Sequence, residues 1–322
     1  MATEELDPGP RAVSYPYKRI KRPSPTPPEG PDPYGNPDAR WLEIDWCERL
    51  RWISVDGDRV NYVDYGEGEP IVCIHGLGGV WQNWLENIAP LADAGHRVLA
   101  LDLPGFGASP MPDWDLTIPN YAELVAGFCT ELGLSGSTLV GNSMGGFIAA
   151  EVELRIPEWN DRLVLVSAAG ISHAEMRREP VLAAGRLMAA LSPLILRINE
   201  RAIRRPGLRE LAFEGFVRHP DKLRKELLWE LSVPATGAPG WFGALAGLTG
   251  YDFRDRLERI SDPTLIIWGR DDRIVPAVDA SGYAEHLPEA ELVIFDDCGH
   301  APMLEHPVRF NRLLQTFVER RR

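Results

Sequence analysis

A serine flanked by glycines, Gly141-Asn142-Ser143-Met144-Gly145-Gly146, stands between two apolar runs. The residues before it, Ser137-Thr138-Leu139-Val140, read as a short buried strand, and Phe147-Ile148-Ala149-Ala150-Glu151-Val152 after it as the start of a helix. A strand that turns directly into a helix at a serine forces that residue into a strained backbone conformation. It also leaves no room for side chains at Gly141 and Gly145. Such a turn lifts Ser143 Oγ above the sheet and aims the first helix amides at the place where an oxyanion would form. The bland alternative is a glycine-rich turn that happens to hold a serine, so the partners decide.

A serine nucleophile needs a base, an orienter for that base, and amide donors. Imidazole alone both accepts and returns a proton near neutral pH. Of seven histidines, His300 in Asp297-Cys298-Gly299-His300-Ala301-Pro302 follows the last predicted strand and so reaches the same sheet edge as Ser143. His306, ahead of Pro307, reads as the opening of the final helix, and His96, His173, His219 and His286 read as incidental. The acid is expected after a strand between serine and histidine. The segment Trp268-Gly269-Arg270-Asp271-Asp272-Arg273 supplies two candidates that the residues alone do not separate, since either could cap a helix or pair with an arginine. The strand over 163–166 runs into Ser167-Ala168-Ala169-Gly170 and offers no carboxylate.

Ile74-His75-Gly76-Leu77-Gly78-Gly79 also follows a strand, and its backbone can present the Leu77 amide beside that of Met144 as an oxyanion hole. It lacks the G-x-G-x-x-G of a dinucleotide loop. His75 reads as structural, anchoring the loop by a backbone hydrogen bond.

The elements that position these residues follow from periodicity. Alternating patterns over 51–55 and 59–65, split by Asp56-Gly57-Asp58, predict a β-hairpin. Buried strands are expected over 71–74, 98–101, 138–140, 163–166, 265–268 and 292–295, mostly separated by helices. The fold class is therefore α/β, a mostly parallel sheet of eight strands with helices on both faces. Residues 46–170 and 251–322 form its core. Between them, 171–250 carry only helical patterns and read as a cap over the C-terminal sheet edge, where open α/β sheets bind ligands. The apolar stretch 182–196 is interrupted by Arg186, Ser192 and Pro193, and is expected to be a cap helix facing the pocket. Residues 1–45 form a proline-rich tail, predicted to be disordered, extended or strapped to the body. Its basic cluster Lys18-Arg19-Ile20-Lys21-Arg22 is either a contact for an anionic surface or a solvated stretch. Trp41, Leu42, Ile44 and Trp46 are expected to dock on the fold.

The net charge of −13 argues against nucleic acid or anionic membranes as main partners of this 322-residue chain. Cys47, Cys73, Cys129 and Cys298 have neither disulfide-framework nor zinc spacing, and no signal core or long apolar run is present. The expectation is a cytoplasmic protein with a small-molecule substrate, no metal and no cofactor.

Taken together, four motifs resemble the α/β-hydrolase superfamily over residues 50–320: His75-Gly76, Asp102-Leu103-Pro104-Gly105-Phe106-Gly107, the serine elbow, and Gly269…Asp272…Pro276 with Gly299-His300. The resemblance implies Asp272, three residues after the glycine and four before the proline, as the acid of a Ser143–His300–Asp272 triad. Serine rather than aspartate as nucleophile argues against the superfamily's epoxide hydrolases and haloalkane dehalogenases. The elbow is similar to that of carbon–carbon hydrolases of ring-fission diketones, which usually carry tryptophan after the histidine, where Ala301 stands here. A carboxylesterase or lipase-like activity on a small, mainly apolar ester is therefore expected first. Carbon–carbon hydrolysis, cofactor-free perhydrolase activity, a proline-releasing peptidase and a non-catalytic receptor are the alternatives. Candidate pocket walls are Trp81, Phe106, Met144, Phe147, Trp241 and Phe242, each of which could instead be core.

Overall fold

The computed structural model describes residues 33–156, 160–232 and 237–320. The chain begins its sheet with the antiparallel hairpin β1 (Leu50–Val55) and β2 (Asp58–Tyr65), turned by Asp56 and Gly57, both at positive φ. Six further strands follow: β3 (Glu69–Ile74), β4 (His96–Leu101), β5 (Ser137–Asn142), β6 (Asn160–Val166), β7 (Thr264–Gly269) and β8 (Ala290–Phe295). They assemble in the order β1-β2-β4-β3-β5-β6-β7-β8, antiparallel at β1–β2 and β2–β4 and parallel elsewhere. The expected eight-stranded mixed sheet is thus present, each strand within a few residues of its expected bounds.

The parallel strands are apolar on both faces because both faces are covered. In β3, Val72 and Ile74 enter one core with α2 (Ile118–Glu131) and α3 (Met144–Arg155). Ile71 and Cys73 enter the other, with α1 (Leu85–Asp93), α9 (Pro302–Glu305) and α10 (Pro307–Val318). His306 caps the last of these helices, as its place before Pro307 implies. Between β6 and β7, the described residues hold only helices: α4 (Arg178–Ile203), α5 (Pro206–Phe213), α6 (Lys225–Ser232) and α7 (Trp241–Leu248), with short 3-10 turns. The remaining helix, α8 (Val278–His286), packs beside β7 and β8.

The segment before β1 is docked. Trp41 and Trp46 are buried in the second core, and Trp41 Nε1 donates to Glu86 Oε1 at 3.0 Å. The basic cluster at 18–22 lies outside the described residues.

Candidate active site

Five loops leave the C-terminal ends of β3, β5, β6, β7 and β8, and the sequence-expected chemistry sits on four of them. At the end of β5, Ser143 takes φ 57° and ψ −120°, a conformation that costs an L-residue about 1–3 kcal/mol. The surrounding bonds hold it there. Its amide donates to the Val166 carbonyl at 2.9 Å, and its carbonyl accepts from Gly146, Phe147 and Ala169. A side chain at Gly145 would run into the Ile74 and His75 carbonyls, so α3 approaches β3 this closely only through glycine. Gly76 is bound by the same geometry, since a Cβ there would stand 2.9 Å from Ser143 Cβ. The loop expected to supply oxyanion donors therefore lies directly against the serine, with Leu77 next in the chain and Met144 in the first turn of α3, where helix amides lack intrahelical partners.

The residues expected as acid and base follow β7 and β8. His300 Nδ1 donates to Asp272 Oδ2 at 2.8 Å, and both side chains are buried. Asp272 Oδ1 accepts the Ile274 and Val275 amides at 2.8 and 3.0 Å, which fixes the carboxylate before it meets the ring. Asp271 turns away, 42% exposed and 3.8 Å from Arg218 Nε. Of the two carboxylates, Asp272 is the one that faces His300.

Several contacts that hold this constellation carry no sequence signal. Asn142 Nδ2 donates to the Val166 carbonyl at 3.1 Å and to the His300 carbonyl at 3.3 Å, joining the residue before the serine to the histidine loop. Buried Glu305 accepts the amides of Gly299, Ala301 and Arg218 and the Tyr34 hydroxyl, at 2.8, 3.0, 2.7 and 2.6 Å. The His300 amide donates to the Phe216 carbonyl at 3.0 Å. The pattern Glu305-His306-Pro307 marks a helix start but not a cross-chain acceptor.

His75 is structural. Its Nδ1 donates to the Gly76 carbonyl at 2.8 Å, and Nε2 accepts the Leu103 amide at 3.0 Å. Burial, opposed by the bond to the Gly76 carbonyl, pushes its pKa down from 6.5 to about 4. Above pH 6.5 neither folded nor unfolded chain binds a proton there; between 6.5 and about 4 only the unfolded chain does. Stability therefore falls as pH falls through that window, by about 3 kcal/mol in all at 1.36 kcal/mol per unit. Glu86 works the other way over much of the same range, since burial lifts its pKa to about 7 and stability falls as pH rises towards that value. Urea unfolding of the native chain and of His75→Gln between pH 4.5 and 7.5 isolates the histidine. The native chain should lose more stability on acidification than the variant, and equal pH slopes would refute the assignment.

Of the other histidines set aside on sequence, His96 is buried at the start of β4. His219 Nε2 lies 2.6 Å from Asp297 Oδ1, and His286 Nδ1 lies 2.7 Å from the Gly282 carbonyl. Burial lowers the pKa of His173, and Asp279 opposes this.

The candidate pocket aromatics divide. Trp81 packs against Trp46 in the second core, ring centroids 5.2 Å apart. Phe106 packs on His75 at 5.5 Å, Phe147 on Phe253 at 4.5 Å, and Met144 is buried in the first core. Trp241 lies over the Gly78 backbone and brings α7 to the loop of Leu77, while Phe242 lies beneath Arg186. Among the described residues no His/Cys/Asp/Glu cluster could hold a metal ion.

The model of the α/β hydrolase fold family matches residues 69–307. The chain belongs to that family. A 2-hydroxy-6-oxononadienedioate/2-hydroxy-6-oxononatrienedioate hydrolase of Comamonas testosteroni is 32% identical over 274 residues, covering 81% of this chain and 91% of the relative. A 2-hydroxy-6-oxo-6-phenylhexa-2,4-dienoate hydrolase of Burkholderia cepacia matches with the same identity and coverage. Among solved structures, an N-acyl homoserine lactone degrading enzyme is 28% identical with a TM-score of 0.65, covering 83% of this α/β hydrolase and all of that chain.

Proposed function

We propose that this α/β hydrolase uses Ser143 as the nucleophile in acyl transfer from a small, mainly apolar carboxylic ester. The observation that carries the reading is the Asn142 bond to the His300 carbonyl, which ties the serine's own turn to the histidine loop while His300 Nδ1 is engaged by Asp272. With Nδ1–H donated to the carboxylate, Nε2 of neutral His300 is the nitrogen left to take the Ser143 proton. Oγ then attacks the carbonyl carbon, and the Leu77 and Met144 amides receive the oxyanion, worth about 3–4 kcal/mol per donor. Collapse of the tetrahedral adduct expels the alcohol, protonated from His300. Water deprotonated by the same nitrogen hydrolyses the acyl-enzyme, releasing the acid and restoring the serine. Asp272 stays ionised and holds the ring in its tautomer throughout.

The named relatives favour a second reading, hydrolysis of a carbon–carbon bond in a 2-hydroxy-6-oxo-dienoate. Two observations support putting the ester first: Ala301 is buried after His300, where the resemblance to carbon–carbon hydrolases implies tryptophan, and a lactone-degrading enzyme is among the similar solved structures. The two are separated by comparing kcat/KM for p-nitrophenyl esters of graded chain length with that for 2-hydroxy-6-oxo-6-phenylhexa-2,4-dienoate. The best ester is expected to exceed the dienoate by about tenfold or more, the scale of one methylene-sized pocket difference. The reverse order would move the assignment to carbon–carbon hydrolysis.

A further inference from the structure

The apolar stretch on α4 faces inward only in part: Leu182 is buried, but a second apolar face is exposed. Leu187, Leu191, Leu194 and Ile198 recur at helical spacing on one face and are 61%, 40%, 55% and 49% exposed, with Met188 beside them at 49%. Seven of the twelve large exposed hydrophobics among the described residues lie on α4 and the adjoining α5, where Leu208 and Leu211 are exposed. The opposite side of α4 is used up, since Gly185 lies against Leu245 and Phe242 of α7. At 3.6 residues per turn, Arg186, Arg197 and Arg204 run along one edge of the stripe, roughly 90° from its centre, with Arg201 nearer to it and Arg205 just beyond the helix. Against these stand Glu179 and Glu200, in a chain whose net charge is −13.

From this geometry we propose that the outer face of α4 is an interfacial docking surface that lays the molecule on an anionic lipid bilayer. An apolar stripe with a basic edge lies in the headgroup plane with leucines towards the acyl chains and guanidinium groups among the phosphates. Spanning is not the alternative, because no described helix is long and apolar enough to cross a membrane. A second copy is the poorer occupant. A two-fold interface sets the same patch against itself, and an antiparallel pairing of the two helices would bring the arginine edge of one copy onto that of the other. The overall acidity expected to repel anionic surfaces is an average, and within a Debye length the local arginines dominate.

The test is co-sedimentation of the full chain with vesicles of phosphatidylcholine and phosphatidylglycerol, about three to one, and of phosphatidylcholine alone. It is repeated for Leu191→Glu/Leu194→Glu and for Arg197→Gln/Arg201→Gln, with circular dichroism to verify folding. The native chain should pellet with the anionic vesicles and more weakly with the neutral ones. Each double variant should bind about tenfold more weakly or worse. Native protein that stays in the supernatant overturns the proposal. Undiminished pelleting of both variants also does so, by assigning the contact elsewhere, for example to Lys18-Arg19-Ile20-Lys21-Arg22. A dimer in sedimentation velocity that Leu191→Glu/Leu194→Glu dissolves would assign the face to a second copy.

Discussion

Replacing Ser143 by alanine should lower kcat by about 10⁴–10⁶ while leaving the fold intact, the range found when a nucleophile is removed from a working triad. The loss would be chemical rather than structural, because what pins this residue is its backbone. The Val166 carbonyl holds its amide, and three amides converge on its carbonyl, none of them through Oγ. Alanine inherits the same φ of 57° and the same strain. Ser143→Gly should be equally inactive yet more stable than the alanine variant by about 1 kcal/mol, since glycine occupies that region without the Cβ clash. Ester turnover at several concentrations, with urea unfolding of both variants, checks the pair of effects. Substantial activity in Ser143→Ala would remove the serine from the chemistry. An alanine variant as stable as the glycine one would show that the turn is not strained.

The second large effect is expected at Glu305, which touches none of the reacting atoms. Glu305→Leu would leave four donors without an acceptor: the Gly299 and Ala301 amides on either side of His300, the Arg218 amide and the Tyr34 hydroxyl. Removing one partner of such a buried polar cluster costs about 3–5 kcal/mol. Under conditions where the variant remains folded, kcat should fall with little change in KM, because the amides released flank His300, the proposed base. Tyr34→Phe removes one donor to Glu305 and the acceptor of the His219 amide, and should cost only about 2 kcal/mol. Urea midpoints and steady-state kinetics of both variants test the difference. A Glu305→Leu chain with native stability and kcat would show the carboxylate to be dispensable.

These contrasts mark what the sequence carries. Strands β1 to β8 were legible because short continuous or alternating apolar runs between turn signals have few other uses, and the serine turn because its glycines answer steric demands made within a few residues. Asp271 and Asp272 could be told apart only by family spacing. In the fold the distinction rests on a histidine 28 positions away in the chain, and on an arginine more distant still. Glu305, Asn142 and Tyr34 were missed for the same reason, since each acts through a contact between segments that only the closed sheet brings together. On α4 the sequence period was right, but periodicity cannot say which side of an amphipathic helix meets the protein. Trp81 illustrates the converse, an aromatic close in sequence to the glycine loop whose ring is spent on packing with Trp46.

The helical insertion between β6 and β7 begins and ends at nearly one point. The Gly250 amide donates to the His173 carbonyl at 3.1 Å, closing the neck of everything in between. From the standpoint of the sheet, a long excursion is therefore equivalent to a short loop, and chain-closure entropy grows only with the logarithm of the length enclosed. The module above the neck can be lengthened, shortened or exchanged for another at small cost to the strands below. Exchange of the excursion at its neck would leave the sheet, and the loops that carry Ser143, Asp272 and His300, unaltered.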